Sequence, residues 1–322
     1  MATKTCVDYT QQLNQYPHTF GELGNHMIVY GSSSTQLAAD LSRLLGASAA
    51  RFETKVFPDG ESYVRLPRID GVEKTLVVNT MYPNQDKRFV ETLLMCDALK
   101  RNGAKKIALV APYLAYARQD KVFLQGEPVS PQPIGQALRC SGVDEMFVVE
   151  AHSDEAVSAL GLKCWNVRVV DSMSKAVLSL NKTPQVVAAP DEKASHRAKA
   201  IADRLGLELI VFSKQRDRIT GEVTTHPSIE ADVKGKTVVF VDDIISTGGS
   251  IASAARIVKE AGAQTIFAVC VHALMVGGAE ELLASSGVVR VIGSNTVENQ
   301  FTAYSIAPEL VEELRRQGFQ EG

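Results

Sequence analysis

The chain has 322 residues, room for two domains of ordinary size, and its 45% hydrophobic and 22% charged content suits a chain that buries a sizeable core. A formal net charge of −3 with both signs interspersed gives no support for a nucleic-acid or membrane-surface partner, so any anionic ligand must be held locally. No apolar run approaches the length of a membrane span, and the N-terminus lacks the basic-then-apolar order of a signal peptide. Cys6, Cys96, Cys140, Cys164 and Cys270 are widely spaced and lack CxxC pairing, which points away from a disulfide framework or a zinc site and toward a reducing cytoplasm.

Residues 1–25 are polar, with Gln11, Gln12, Asn14 and Gln15 close together and no clean period, and read as an N-terminal extension. From Met27 a pattern settles. HMIVYGSSS predicts a short strand running into small residues, and Thr35 to Leu45 carries helical spacing through Leu37, Leu41, Leu44 and Leu45. Further strand-like runs are TLVVN, KIALVAPY, MFVVE, QVVAAPD, ELIVF, TVVFVDD, TIFAVCVH and VVRVIG. Helical segments such as Phe89 to Asn102, Gln132 to Cys140 and Ala194 to Leu205 fall between them. Strands alternating with helices predict parallel sheets covered on both faces, hence α/β architecture. So many strands suit two doubly wound domains better than one sheet, with the break near Asn166. The expected division is 26–166 and 167–299.

Four stretches carry candidate chemistry. Phe57-Pro58-Asp59-Gly60-Glu61 contains a Pro-Asp-Gly turn signal and on its own reads as a hairpin. In APYLAYARQDKVFLQGEPVS, Ala111 to Ser130, an apolar strand delivers Tyr113, Tyr116, Arg118, Gln119, Asp120 and Lys121 to its carboxyl end, where ligands of open α/β sheets bind. His152 follows another strand in VVEAHSDEA. The fourth, Val238 to Ala263, reads as strand, tight loop and helix. Its Thr247, Gly248 and Gly249 leave backbone N–H groups uncovered at the positive end of the helix, where a phosphate can sit. No lysine follows the glycines as in GxxxxGK[ST]; Asp242 and Asp243 precede them instead, which suits sugar hydroxyls or a magnesium ion.

The run VDDIISTGGS resembles the phosphoribosyl-binding loop shared by type I phosphoribosyltransferases and ribose-phosphate pyrophosphokinases. Together with FPDGE, PYLAYARQDK, the His after VVE, Pro190-Asp191 and KQR at Lys214 to Arg216, in that order and spacing, it makes the chain from about Met27 onward resemble the ribose-phosphate pyrophosphokinases, most closely their archaeal type. The resemblance implies two doubly wound domains of the type I phosphoribosyltransferase-like fold with mainly parallel sheets. It also implies that the C-terminal segment, about 300–322 with a helix near Pro308 to Gln317, returns to the first domain. The activity implied is transfer of the β,γ-diphosphoryl group of ATP to the 1-hydroxyl of ribose 5-phosphate. Asp242, Asp243, Ser246, Thr247, Gly248, Gly249 and Ser250 would hold ribose 5-phosphate, Arg118 and Gln119 would contact ATP, and His152 and Asp191 would meet Mg²⁺. Lys214 and Arg216, in a polar segment after a strand, would close over the transferring phosphorus. Phe57, Asp59 and Glu61 would complete the adenine pocket of a neighbouring subunit, so a dimer-based homo-oligomer is expected, whether dimer, tetramer or hexamer. Departures from the family pattern stand at Glu192 to Ser195, in HSDEAV, and at Ser250 where Thr is common. A catalytically silent regulatory paralogue and a type I phosphoribosyltransferase are the alternative readings.

Overall fold

A computed structural model describes residues 26–67, 73–216, 223–229 and 232–319. Two sheets organise the chain, and their elements follow the same order. The first runs β1 (His26–Tyr30), α1 (Thr35–Leu45), β2 (Ser48–Arg51), a hairpin of β3 (Glu53–Val56) and β4 (Ser62–Arg65), β5 (Lys74–Val78), α2 (Gln85–Arg101), β6 (Lys106–Ala111), α3 (Pro131–Cys140), β7 (Glu145–Val149), α4 (Asp154–Ala159) and β8 (Cys164–Val167). Its six strands lie in the order β2-β1-β5-β6-β7-β8, all parallel, while β3 and β4 form a separate two-stranded sheet.

After α5 (Val170–Leu178) the second sheet begins with β9 (Val186–Ala189), a 3₁₀ turn at Glu192–Ala194, α6 (Ser195–Leu205), β10 (Glu208–Arg216) and β11 (Val223–Ile229). It continues with β12 (Thr237–Ile245), α7 (Gly249–Glu260), β13 (Thr265–Ala273), α8 (Ala279–Ser285), β14 (Val288–Ser294) and β15 (Thr302–Tyr304), and α9 (Ala307–Arg316) closes the chain. The strand order is β11-β10-β9-β12-β13-β14-β15, parallel except for the antiparallel β10–β11 pair. Each lobe is thus strand, helix, strand, hairpin element, then further strand–helix units.

The predicted apolar runs became the central strands for a simple reason: a parallel sheet covered on both faces has no solvent side, so its strands cannot alternate. β7, β9 and β13 are buried at every residue. Edge strands β2 and β8 have few buried residues, and their mixed sequences gave no strand signal. The inner faces of both sheets meet in one continuous core, where Ile28, Val110 and Phe147 share a cluster with Val187, Val239 and Phe267. Leu310, Val311 and Leu314 of α9 lie in that cluster, and α9 packs on α1 and α5. The outer faces have separate cores around Met95 and Leu109 in one lobe and Phe240 and Ile266 in the other.

The carboxyl ends of the two sheets converge. Thr80 Oγ1 donates to the Thr296 carbonyl (2.7 Å), Tyr82 Oη donates to the Leu274 carbonyl (2.9 Å), and Glu298 Oε1 accepts from Gln36 N (2.6 Å) at the start of α1. Ligand-binding loops of open α/β sheets lie at this edge.

Candidate active site

β12 carries the apolar run Val238–Val241 into Asp242 and Asp243, and the chain turns at Gly248 into α7. Gly248 has φ 76°, and a Cβ there would stand 3.1 Å from Leu283 Cγ, so both backbone shape and space call for glycine. The first turn of α7 holds no acidic residue and its N-cap makes no side-chain capping bond, which leaves the positive end of a twelve-residue helix facing the loop. Thr247 and Gly249 are exposed, and Ser246 and Ser250 half-buried.

The paired acids share their charge unequally. Asp243 N donates to Asp242 Oδ1 at 2.9 Å. Burial, then the neighbouring charge of Asp243, pushes the Asp242 carboxyl well above the usual range. Burial pushes Asp243 the same way, but the hydrogen bond with Asp242 and the charges of Arg197, His272 and His152 outweigh it and hold Asp243 below the usual range. Burial and mutual repulsion thus favour the protonated form of Asp242, while Arg197 beside Asp243 favours its charged form.

A cavity of about 200 Å³ opens beside this pair, and Tyr113, Arg118, Gln119, His152, Asp243 and His272 line it. Segments far apart in the chain thus meet at one place. Gln119 is fixed by Ser130, whose Oγ donates to its Oε1 (2.6 Å) and whose N donates to its carbonyl (3.0 Å). Ser153 Oγ donates to Asp120 (2.5 Å), tying the Arg118–Gln119 segment to the one bearing His152. Burial, then Lys193, pushes the His152 imidazole down toward its neutral form. Asp191 ends the β9 strand turn, where its Oδ1 accepts from Ala194 N (3.3 Å), and its charge reaches Asp242.

Lys214 and Arg216 sit on β10 itself, which the sequence ended sooner. Antiparallel pairing of Lys214 with Thr225 and of Arg216 with Val223 extends the strand beyond its apolar part. Their side chains, residues 217–222 and residues 1–25 lie outside the described residues. Phe57, Asp59 and Glu61 occupy the exposed tip of the β3–β4 hairpin, closed by Phe57 N to Glu61 O (2.8 Å), with Phe57 39% exposed. They do not line the 200 Å³ cavity. A larger open cleft of about 940 Å³ runs instead between the base of that hairpin, at Tyr63 and Arg65, and Leu94 and Arg101 of α2.

Glu150, Arg197 and His272 belong to this region although the sequence reading did not single them out. His272 joins the lobes: its Nε2 donates to the Val149 carbonyl (3.0 Å), its Nδ1 lies 2.9 Å from Thr296 Oγ1, and its ring stands edge-on to Tyr113 at 5.1 Å. The position of Glu150 and His272 at strand ends was a signal; nothing local marked Arg197.

Two α/β lobes meet at their carboxyl edges, where an acid pair, an open helix N-terminus and a polar cavity adjoin. Comparison with known proteins gives the family. A family model for the N-terminal domain of ribose phosphate pyrophosphokinase matches residues 26–142, and one for the phosphoribosyl transferase domain matches 167–306. The chain is 38% identical over 294 residues to the ribose-phosphate pyrophosphokinase of Sulfurisphaera tokodaii, covering 89% of this chain and 100% of that one. It is 40% identical over 290 residues to that of Thermococcus kodakarensis, covering 88% and 99%. The crystal structure of phosphoribosylpyrophosphate synthetase from Mycobacterium smegmatis superposes with a TM-score of 0.77 at 29% identity, covering 93% of this chain and 100% of that chain. The chain belongs to the ribose-phosphate pyrophosphokinase family.

Proposed function

We propose that this chain transfers the β,γ-diphosphoryl group of ATP to the 1-hydroxyl of ribose 5-phosphate, giving phosphoribosyl pyrophosphate and AMP. The observation that carries this reading is the cavity in which Arg118, Gln119 and His152 of one lobe face Asp243 of the other. Ribose 5-phosphate lies on the second-lobe loop. Its phosphate meets the start of α7 with Ser246, Thr247, Gly248, Gly249 and Ser250, and its hydroxyls meet the acid pair. Asp243, held toward its charged form, accepts from a hydroxyl, and Asp242, pushed toward its protonated form, can offer a donor as well as an acceptor. ATP lies across the cavity with Arg118 on its phosphates and Gln119 near its sugar or base.

The 1-hydroxyl oxygen attacks the β-phosphorus; the new P–O bond forms as the bond to the AMP oxygen breaks, and the hydroxyl proton is released to solvent. Such chemistry asks mainly for alignment and for neutralised charge. Lys214 as a point charge and Arg216 as a fork supply part of that neutralisation from the β10–β11 hairpin.

The residues also fit a magnesium ion. Among the described residues no group of three or more His, Cys, Asp or Glu side chains could hold a metal, and Mg²⁺ needs no such cage, since it keeps several waters and takes one or two protein ligands beside substrate phosphates. The imidazole of His152, pushed toward its neutral form by burial, and the Asp191 carboxylate would hold it. When bound it would neutralise phosphate charge.

On this reading residues 26–166 and 167–299 are the two domains, with α9 belonging to the first. The exposed Phe57 hairpin serves a neighbouring subunit, and the enzyme works as a homo-oligomer. No helix among the described residues is long and apolar enough to cross a membrane, and Cys96, Cys140, Cys164 and Cys270 are free thiols, which suits the cytoplasm. The test is AMP release from ATP, expected to require both ribose 5-phosphate and Mg²⁺. AMP release without the sugar, or ADP as the product, would refute the assignment.

A further inference from the structure

Glu150 and Arg197 form a buried ion pair between the lobes, and neither position has a role in the reading above. Glu150 follows β7 with φ 42°, a left-handed conformation that is costly for a residue with a side chain. It is only 3% exposed. Its Oε1 accepts from Val169 N (3.0 Å), and its Oε2 accepts from Arg197 Nη2 (2.9 Å) and Arg168 Nη1 (3.1 Å). Arg197, on α6 of the other lobe, has a side chain 12% exposed; its Nη1 points to Asp243 Oδ1 at 3.8 Å. Its Nε is buried with no hydrogen-bond partner among the described residues.

A pair kept for stability alone would satisfy each buried donor and avoid backbone strain. This one does neither, and its free end lies 3.8 Å from the Asp243 carboxylate. We infer that Arg197, anchored on Glu150, is a positioning residue for ribose 5-phosphate: the guanidinium holds the Asp243 carboxylate in place so that it meets the sugar hydroxyls. The anchor comes from the lobe that carries Arg118 and Gln119, so the same strut sets the sugar against the nucleotide. This rests on the proposed binding of ribose 5-phosphate at the β12–α7 loop.

Calorimetric titration of ribose 5-phosphate and, separately, of a non-hydrolysable ATP analogue into the full chain tests it. Arg197→Met is expected to weaken ribose 5-phosphate roughly 10- to 100-fold, the usual effect of removing a residue that orients a ligating group, while the nucleotide affinity shifts less than about threefold. Glu150→Gln should reproduce that selectivity, and Arg197→Lys, which keeps the charge, should recover part of the loss. Arg204→Met, on the same helix as Arg197, breaks a surface pair with Asp171 of α5 and should change neither affinity. If Arg197→Met does not fold, Arg197→Lys decides: unchanged sugar affinity overturns the inference. So does an equal loss for both ligands in either Arg197 variant. Wild-type protein that binds the analogue but no ribose 5-phosphate overturns the parent reading and the strut together; wild-type binding with unaffected variants overturns the strut alone.

Discussion

In both lobes a hairpin element precedes a strand that runs into a helix at the carboxyl edge: β5 into α2 in the first, β12 into α7 in the second. The β5 turn is filled by the protein itself. Asn79, fully buried, accepts from Ser33 Oγ (2.9 Å) and donates to Thr92 Oγ1 (2.9 Å), while Thr80 and Tyr82 reach across to carbonyls of the other lobe. At the β12 turn Thr247 and Gly249 stay exposed, and the acid pair Asp242 and Asp243 stands before them. Equal topology therefore gives two different edges: the β5 turn is committed to contacts within the protein, whereas the β12 turn leaves Thr247 and Gly249 exposed. On the proposed reading the β5 turn is a joint between the lobes and the β12 turn a cradle.

The largest effect should come from the hairpin of the cradle lobe. Lys214→Ala is expected to lower kcat roughly 10²-fold or more, as loss of one transition-state donor does, with Tm within a few degrees of wild type; unchanged turnover would remove Lys214 from the chemistry. Next come the acids. Asp243→Asn should raise KM for ribose 5-phosphate roughly tenfold or more, because it removes the carboxylate that Arg197 holds toward its charged form, whereas Asp242→Asn changes a carboxyl already pushed toward its protonated form and should cost only about threefold. Equal effects would contradict the unequal sharing of charge.

Glycines sharpen the comparison further. Gly248→Ala is expected to lose about 1–2 kcal/mol of stability from its positive φ and to raise KM for ribose 5-phosphate as well. Gly46, after α1 in the other lobe, has φ 66° with open space around it, so Gly46→Ala should cost about 1 kcal/mol and leave kinetics alone. Denaturant unfolding with matched steady-state assays separates the two.

The joint has its own signature in pH. Glu298 accepts backbone N–H bonds at the start of α1, yet burial outweighs them and pushes its carboxyl up to about 7. The folded protein then binds the proton more tightly than the unfolded chain, so this contribution is full below the ordinary carboxylate range and is lost as pH rises through about 7. His272 acts in the opposite sense: burial lowers it to about 4, so its contribution is present above the ordinary histidine value and is lost as pH falls toward about 4. Glu298→Gln removes only the first. Its stability relative to wild type should rise by about 1–2 kcal/mol between pH 5 and 6.5, measured by urea unfolding; a constant difference would show Glu298 ionised throughout.

Much of the frame was legible in the sequence, because buried parallel strands must be apolar runs. TVVFVDD, TIFAVCVH and MFVVE became β12, β13 and β7, and the Leu37–Leu41 spacing became α1. The short edge strands β2 and β8 were not legible, since a strand paired on one side carries little apolar signal. For the site, turn chemistry at Gly248 and the acids before it could be read locally. The meeting of Glu150 with Arg197, 47 residues away, and of Glu298 with Gln36, 262 residues away, could not. Such contacts arise from how two sheets face one another, and local sequence carries no record of that.

The most direct test is a crystal structure with a non-hydrolysable ATP analogue, ribose 5-phosphate and Mg²⁺ bound together. The expected result is sugar phosphate at the start of α7, sugar hydroxyls on Asp242 and Asp243, and the 1-oxygen about 3–3.5 Å from the β-phosphorus, opposite the AMP oxygen. Sugar found elsewhere, or a nucleotide whose β-phosphorus faces away from that oxygen, would contradict the account.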